Sequence, residues 1–133
     1  MTVFGAVCGI IALVSLLALL IKYPLRKLGM NRLNAFFMKL HEAASGLFFV
    51  AAIAHMLSGL RRLRENPFAV ISGLAALAVS VVLIAACHMT KDVQRKMRRH
   101  RIYSALLTAA ALCHTAAAAG SFRRKMKKSA ICA

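Results

Sequence analysis

Long uncharged apolar runs alternate with short basic clusters along the whole chain. The first run covers residues 3–21. It stops at Lys22, with Pro24 just beyond, which predicts a helix end there. The segment KYPLRKLGMNRLN reads as a basic loop. A second helix is expected over residues 35–60, ending at Arg61, Arg62 and Arg64. Asn66 and Pro67 have the order of an N-cap and a first-turn proline, so a third helix is expected over 67–88. TKDVQRKMRRHR reads as another basic loop. The fourth helix is expected over 100–119, followed by Gly120 and the basic tail FRRKMKK.

Each span is about 20 residues, which covers roughly 30 Å of hydrocarbon. The fold expected is therefore all-α, an integral-membrane up-down four-helix bundle forming one domain over 1–133. Short loops make neighbouring helices antiparallel, so the second and fourth spans run the same way. The first and third loops share one side of the membrane, side A. The second loop and both termini share the other, side B.

Composition narrows the class. Of 133 residues, 61% are hydrophobic, and three acids face nineteen Lys and Arg, for a net charge of +16. That charge alone would suit a nucleic-acid binder, but the cations flank membrane-length runs and no nucleic-acid motif accompanies them. Membrane lipids with anionic headgroups fit better as partners, and no nucleic acid is expected.

Side A holds Lys22, Arg26, Lys27, Arg32, Lys39, Lys91, Arg95, Lys96, Arg98, Arg99 and Arg101; side B holds Arg61, Arg62, Arg64, Arg123, Arg124, Lys125, Lys127 and Lys128. The excess on side A points to a cytoplasmic side A in the inner (plasma) membrane. The first 21 residues have no basic n-region and no A-x-A site, so they read as a retained helix. Cys8, Cys87, Cys113 and Cys132 form no CxxC pair and read as small apolar residues. No GxGxxG or P-loop pattern is present.

The histidines carry the candidate chemistry. His41 and His55 are 14 residues apart on the second span, and His100 and His114 are 14 apart on the fourth. Fourteen helical residues rise about 21 Å and turn about 1400°, so each pair shares a face with one member near each membrane surface. On parallel helices His41 is level with His100, and His55 with His114. Each couple suits one haem iron bound from both faces, giving two b haems. The iron ligands expected are His41 and His100 on side A, and His55 and His114 on side B.

Sliding the second span by 59 residues onto the fourth also matches Ser45 with Ser104, Leu47 with Leu106, Ala51 with Ala110 and Ala52 with Ala111. Ser45, Ala52, Ser104 and Ala111 lie on the histidine faces, where small side chains leave room for a macrocycle. Phe48 and Leu107 fall midway between the two levels. Arginines near the histidines, among them Arg61, Arg99 and Arg101, suit haem propionates. His88 reads as interfacial, with a ligand, partner or quinone role as the alternative. Glu42 reads as interfacial beside Lys39. Gly5-x-x-x-Gly9 is a small-residue packing motif, for a contact within the chain or in a homodimer.

LHEAASGLFFVAAIAH and RHRIYSALLTAAALCH resemble the two haem-binding helices of ferric-reductase-like transmembrane cytochromes, and LRKLGM is similar to a stretch in that superfamily. The resemblance covers residues 24–120. It implies bis-histidine b haems at His41, His55, His100 and His114, and electron flow across the bilayer. It also implies kinship with minimal bacterial diheme four-helix forms, some of which work beside flavinylated proteins. Full-length reductases carry further helices and a flavin or nicotinamide domain, so the expectation is an electron-transfer subunit of an oxidoreductase rather than a self-contained enzyme. Its donor would be a flavoprotein or quinol, and its acceptor would lie on the other side.

Two rivals use the same residues differently. A non-redox membrane anchor or assembly subunit would need only the helices and the basic ends that bind acidic partners or anionic lipids. A small proton-coupled carrier would use Glu42 or His88, but apart from histidine no ionisable side chain lies deep in a span.

Overall fold

A computed structural model describes residues 2–28 and 31–131; side chains are described outside 22–27, 31–35, 62, 122, 124–129 and 131. The described residues are helical apart from short connections: α1 (Val3–Lys27), α2 (Asn31–Gly59), a 3-10 turn (Leu60–Arg62), α3 (Pro67–Met89) and α4 (Val93–Ile131). Residues 1–59 and 60–133 form two compact units, each a helical hairpin.

Each helix holds a stretch long and apolar enough to cross a membrane: Val3–Ile21, Phe36–Gly59, Pro67–Met89 and Val93–Ser121. In hydrocarbon every backbone N–H and C=O must be satisfied within the segment, which a helix does. Large apolar side chains stay on the outer surface of all four helices, among them Val14, Val50, Ile71 and Leu112. Small residues take most of the contacts instead, as helix association in lipid favours. Hairpin 1 (α1 and α2) buries Cys8, Ser15, Ala44 and Ala51 with one large residue, Leu16, and hairpin 2 (α3 and α4) buries Ser80 with Leu107. Hydroxyls in the spans donate back to their own helix, as Ser80 does to the Ala76 carbonyl (2.8 Å) and Thr108 to the Ser104 carbonyl (2.8 Å).

The helix starts follow local chemistry. Thr2 caps α1, its hydroxyl accepting from Gly5 N at 3.2 Å. Asn66 caps α3 through Ala69 N (3.3 Å), with Pro67 next, as the sequence predicts. Asp92 caps α4, accepting from Gln94 N at 2.9 Å and Arg95 N at 3.4 Å.

Four expected boundaries move outward. α2 starts at Asn31 rather than at residue 35. α1 continues through Pro24 to Lys27. Proline's fixed φ suits a helix, and near the end its missing N–H removes one bond only. α4 begins at Val93 rather than His100, because Asp92 supplies a cap and the Arg and Lys that follow are good helix formers. α4 also runs through Gly120 to Ile131. One glycine costs about 1 kcal/mol in a helix, and the Arg- and Lys-rich residues after it favour helix. Most of both basic "loops" is therefore helix, and only Thr90–Asp92 connects α3 to α4. Gly29, Met30 and Cys132 lie outside the described residues, as do the side chains of Lys22, Arg26, Lys27, Arg32, Arg62, Arg124, Lys125, Lys127 and Lys128.

Candidate functional site

The paired histidines sit on the second helix of each hairpin, half-buried at His41 and His55 on α2 and at His100 and His114 on α4. Two of them lie against the first helix of their own hairpin in the same way. In hairpin 1 His55 Nδ1 stands 2.7 Å from the Gly5 carbonyl oxygen. A Cβ on Gly9 would come within 2.8 Å of His55 Nδ1 and 2.9 Å of its Cε1, so the ring lies directly on the backbone there. In hairpin 2 His114 Nδ1 stands 2.9 Å from the Ala69 carbonyl oxygen, and a Cβ on Gly73 would meet its Cε1 and Nδ1 at 3.2 Å. Both contacts join the C-terminal half of one helix to the N-terminal turns of the other, so each hairpin is antiparallel.

A backbone carbonyl can only accept. In a neutral imidazole bonded this way, Nδ1 carries the hydrogen and Nε2 carries the lone pair. Metal-bound histidines are oriented by this arrangement, the distal nitrogen donating to a carbonyl while the other binds. The donor set therefore fits an axial haem ligand at His55 and at His114. Bis-histidine ligation takes two imidazoles per iron, so it does not call for the larger His, Cys, Asp and Glu clusters that are absent among the described residues.

The third placed ring has a different partner. His100 Nδ1 lies 3.5 Å from Cys87 Sγ at the far end of α3. His41 is half-buried on α2.

The accompanying residues fall as follows. Ser45 and Ser104 turn their hydroxyls onto their own helix, to the Glu42 carbonyl (2.7 Å) and the His100 carbonyl (2.7 Å). Each thus presents a small, satisfied side chain. Ala52 and Ala111 are half-buried, Leu107 is 4% exposed and Phe48 is half-buried. Arg61 and Arg101 are exposed, and Arg99 Nη1 donates to Thr90 Oγ1 at 3.1 Å. His88 and Glu42 are exposed. Cys87 is half-buried, whereas Cys113 is exposed rather than buried. Gly5 and Gly9 are used within hairpin 1: a Cβ on Gly5 would run into Ser58 Oγ, as one on Gly9 would into His55.

The shared cradle was readable in the sequence by a second shift. Moving α1 by 64 residues onto α3 matches Phe4 with Phe68, Gly9 with Gly73, Ala12 with Ala76, Leu13 with Leu77 and Leu19 with Leu83. It also puts Gly5 on Ala69, the two residues whose carbonyls accept from the imidazoles of the cradles. The Gly5–His55 separation is 50 residues and the Ala69–His114 separation 45, so the repeat differs by five residues, all in the stretch between cradle and histidine.

Fold and site together define an all-helical chain of two hairpins with membrane-length apolar helices and an imidazole cradle in each. Comparison with protein-family models, with curated proteins and with solved structures found no match.

Proposed function

We propose that this chain is a diheme b-type cytochrome of the inner membrane that passes electrons across the bilayer. The observation that carries the reading is the duplicated cradle, in which His55 and His114 each direct Nδ1 at a backbone carbonyl, the orientation that places the lone pair on Nε2, the atom a metal would bind. In this reading His55 and His114 serve one iron, and His41 and His100 the other, following the 14-residue spacing common to α2 and α4.

Haem held by two imidazoles would supply one-electron chemistry, which favours electron transfer over oxygen activation. The chain's own residues bind and orient. The glycines let the rings approach the backbone, Ser45, Ala52, Ser104 and Ala111 leave space, and Arg61, Arg99 and Arg101 supply cations for propionates. A flavoprotein or quinol is the donor, an acceptor takes the electron on the opposite side, and the loops before α2 and α4 face the cytoplasm.

The test is a reduced-minus-oxidised spectrum and haem assay of the purified protein. A b-type signal at about two haems per chain is expected for two bis-histidine sites. Colourless protein from cells supplied with haem would refute it.

One observation favours a second reading. Arg95, Lys96, Arg98 and Arg99 form an exposed helical collar at the start of α4. Such a collar suits anionic lipid headgroups or an acidic partner, as a non-redox anchor subunit would use it. Colourless protein that co-purifies with a membrane complex would favour this reading.

A further inference from the structure

Hairpin 2 holds two imidazoles with different Nδ1 partners. His114 faces the Ala69 carbonyl at 2.9 Å, and His100 faces the Cys87 sulfur at 3.5 Å. Both histidines are on α4, 14 residues apart, so the two environments lie about 21 Å apart along one helix.

The partners differ chemically. A carbonyl oxygen is a strong acceptor, whereas a thiol sulfur is a weak one. When an imidazole binds a metal through Nε2, the hydrogen is on Nδ1, and a stronger acceptor there makes the ring a stronger donor to the metal. A stronger donor stabilises the oxidised metal and lowers the potential, one of the levers a protein has over a bound haem.

We propose that Cys87 is a positioning residue for His100, its sulfur taking the Nδ1–H and holding the His100 end of the electron path at higher potential than the His114 end. The proposal rests on the cytochrome reading and goes beyond it by giving the path a direction. Electrons run downhill from the end where Ala69 holds His114 toward the end where Cys87 holds His100. With the sides assigned from the loops, that is from side B to side A.

The experiment has two arms. In the first, haem-free protein carrying ¹⁵N-histidine is examined by NMR. His100 is expected in the Nδ1-protonated form, with a shift that changes in Cys87→Ala and Cys87→Ser while that of His114 stays put. An Nε2-protonated His100 that ignores residue 87 overturns the positioning role. In the second arm, haem-loaded protein is titrated potentiometrically. Cys87→Ser supplies a harder acceptor and is expected to lower the upper of two midpoint potentials. Cys87→Ala removes the acceptor and is expected to raise it, with the lower potential unmoved in both. If the lower potential moves instead, or neither moves, the assignment of direction is overturned. Protein that takes up no haem sinks the cytochrome reading and the direction with it, and the first arm still decides separately whether Cys87 positions His100.

Discussion

In hairpin 1 the His55 ring lies on Gly9 and gives Nδ1 to the Gly5 carbonyl at 2.7 Å. In hairpin 2 the His114 ring lies on Gly73 and gives Nδ1 to the Ala69 carbonyl at 2.9 Å, with Ser72 Oγ 3.4 Å away. The first cradle is tighter, with the shorter Nδ1–carbonyl distance and the closer glycine. The second is looser and shared, since Ser72 also donates to the Ala69 carbonyl at 3.0 Å. The same imidazole geometry thus arises twice with different tolerances, and the difference says which atoms the arrangement depends on. The carbonyl and the bare backbone under the ring recur; the neighbouring hydroxyl does not.

The sharpest way to break the comparison is to remove the rings. His55→Ala and His114→Ala are each expected to roughly halve the haem content, because one lost axial ligand leaves an iron with a single imidazole. Equal loss in the two variants, read by haem assay against protein concentration, supports the two rings serving one iron. The double variant should then lose no more than either alone. Additive loss would mean that the rings serve separate irons.

The next effect separates the cradles. Alanine at a helical glycine gains about 1 kcal/mol in propensity. Gly9→Ala sets against this a contact at 2.8 Å with a ring already fixed by its hydrogen bond. Overpacking of this kind costs about 1–3 kcal/mol, so a net loss of stability is expected. Gly73→Ala meets the ring at 3.2 Å, where a few tenths of an ångström of relief suffice. It is expected to stay within about 0.5 kcal/mol of wild type as the two terms cancel. Thermal unfolding in detergent ranks the pair, and a more harmful Gly73→Ala would reverse the reading of which cradle is tighter.

The caps of hairpin 2 come third. Asn66→Ala and Asp92→Ala each remove a side-chain acceptor at a helix start, worth about 1 kcal/mol. Asp92 also lies 4.0 Å from Arg95 Nε in an exposed pair, which adds little. Both variants should lower the unfolding midpoint by a few degrees without changing haem content. A large loss of haem in Asp92→Ala would show that the first turns of α4 help hold His100.

Much of this architecture was legible in advance, for a physical reason in each case. Four apolar runs between basic clusters can only be helices in hydrocarbon. Asn66–Pro67 marks the start of α3 because both residues suit the first turn and little else. The helix ends differ from expectation because a run of basic residues does not mark a loop. Arg and Lys are good helix formers, and Asp92 as an N-cap was the available signal that α4 starts before the cations. The 14-residue histidine spacing gave the candidate ligands, since it depends on one helix at a time. The Nδ1 partners depend on the register between two helices 45 to 50 residues apart in sequence, which no local pattern sets. The signal for it is the 64-residue repeat of α1 in α3, with Gly9 recurring at Gly73.

The smallest expected effect tests whether the hydroxyl in the looser cradle matters. The 64-residue shift puts Cys8 of α1 where Ser72 stands in α3. Ser72→Cys therefore makes hairpin 2 locally resemble hairpin 1. Ser72 donates its hydrogen to the Ala69 carbonyl, so its own lone pairs are turned toward the His114 ring and share the Nδ1–H. Sulfur accepts more weakly, so more of the Nδ1–H falls to the Ala69 carbonyl, the counterpart of the Gly5 carbonyl at His55. The ¹⁵N shift of His114 is expected to move toward that of His55, with stability changed by less than about 0.5 kcal/mol, since the backbone bond remains. A His114 signal that stays fixed would mean that the carbonyl already holds the proton by itself, and that the two cradles differ only in how closely each ring meets its glycine.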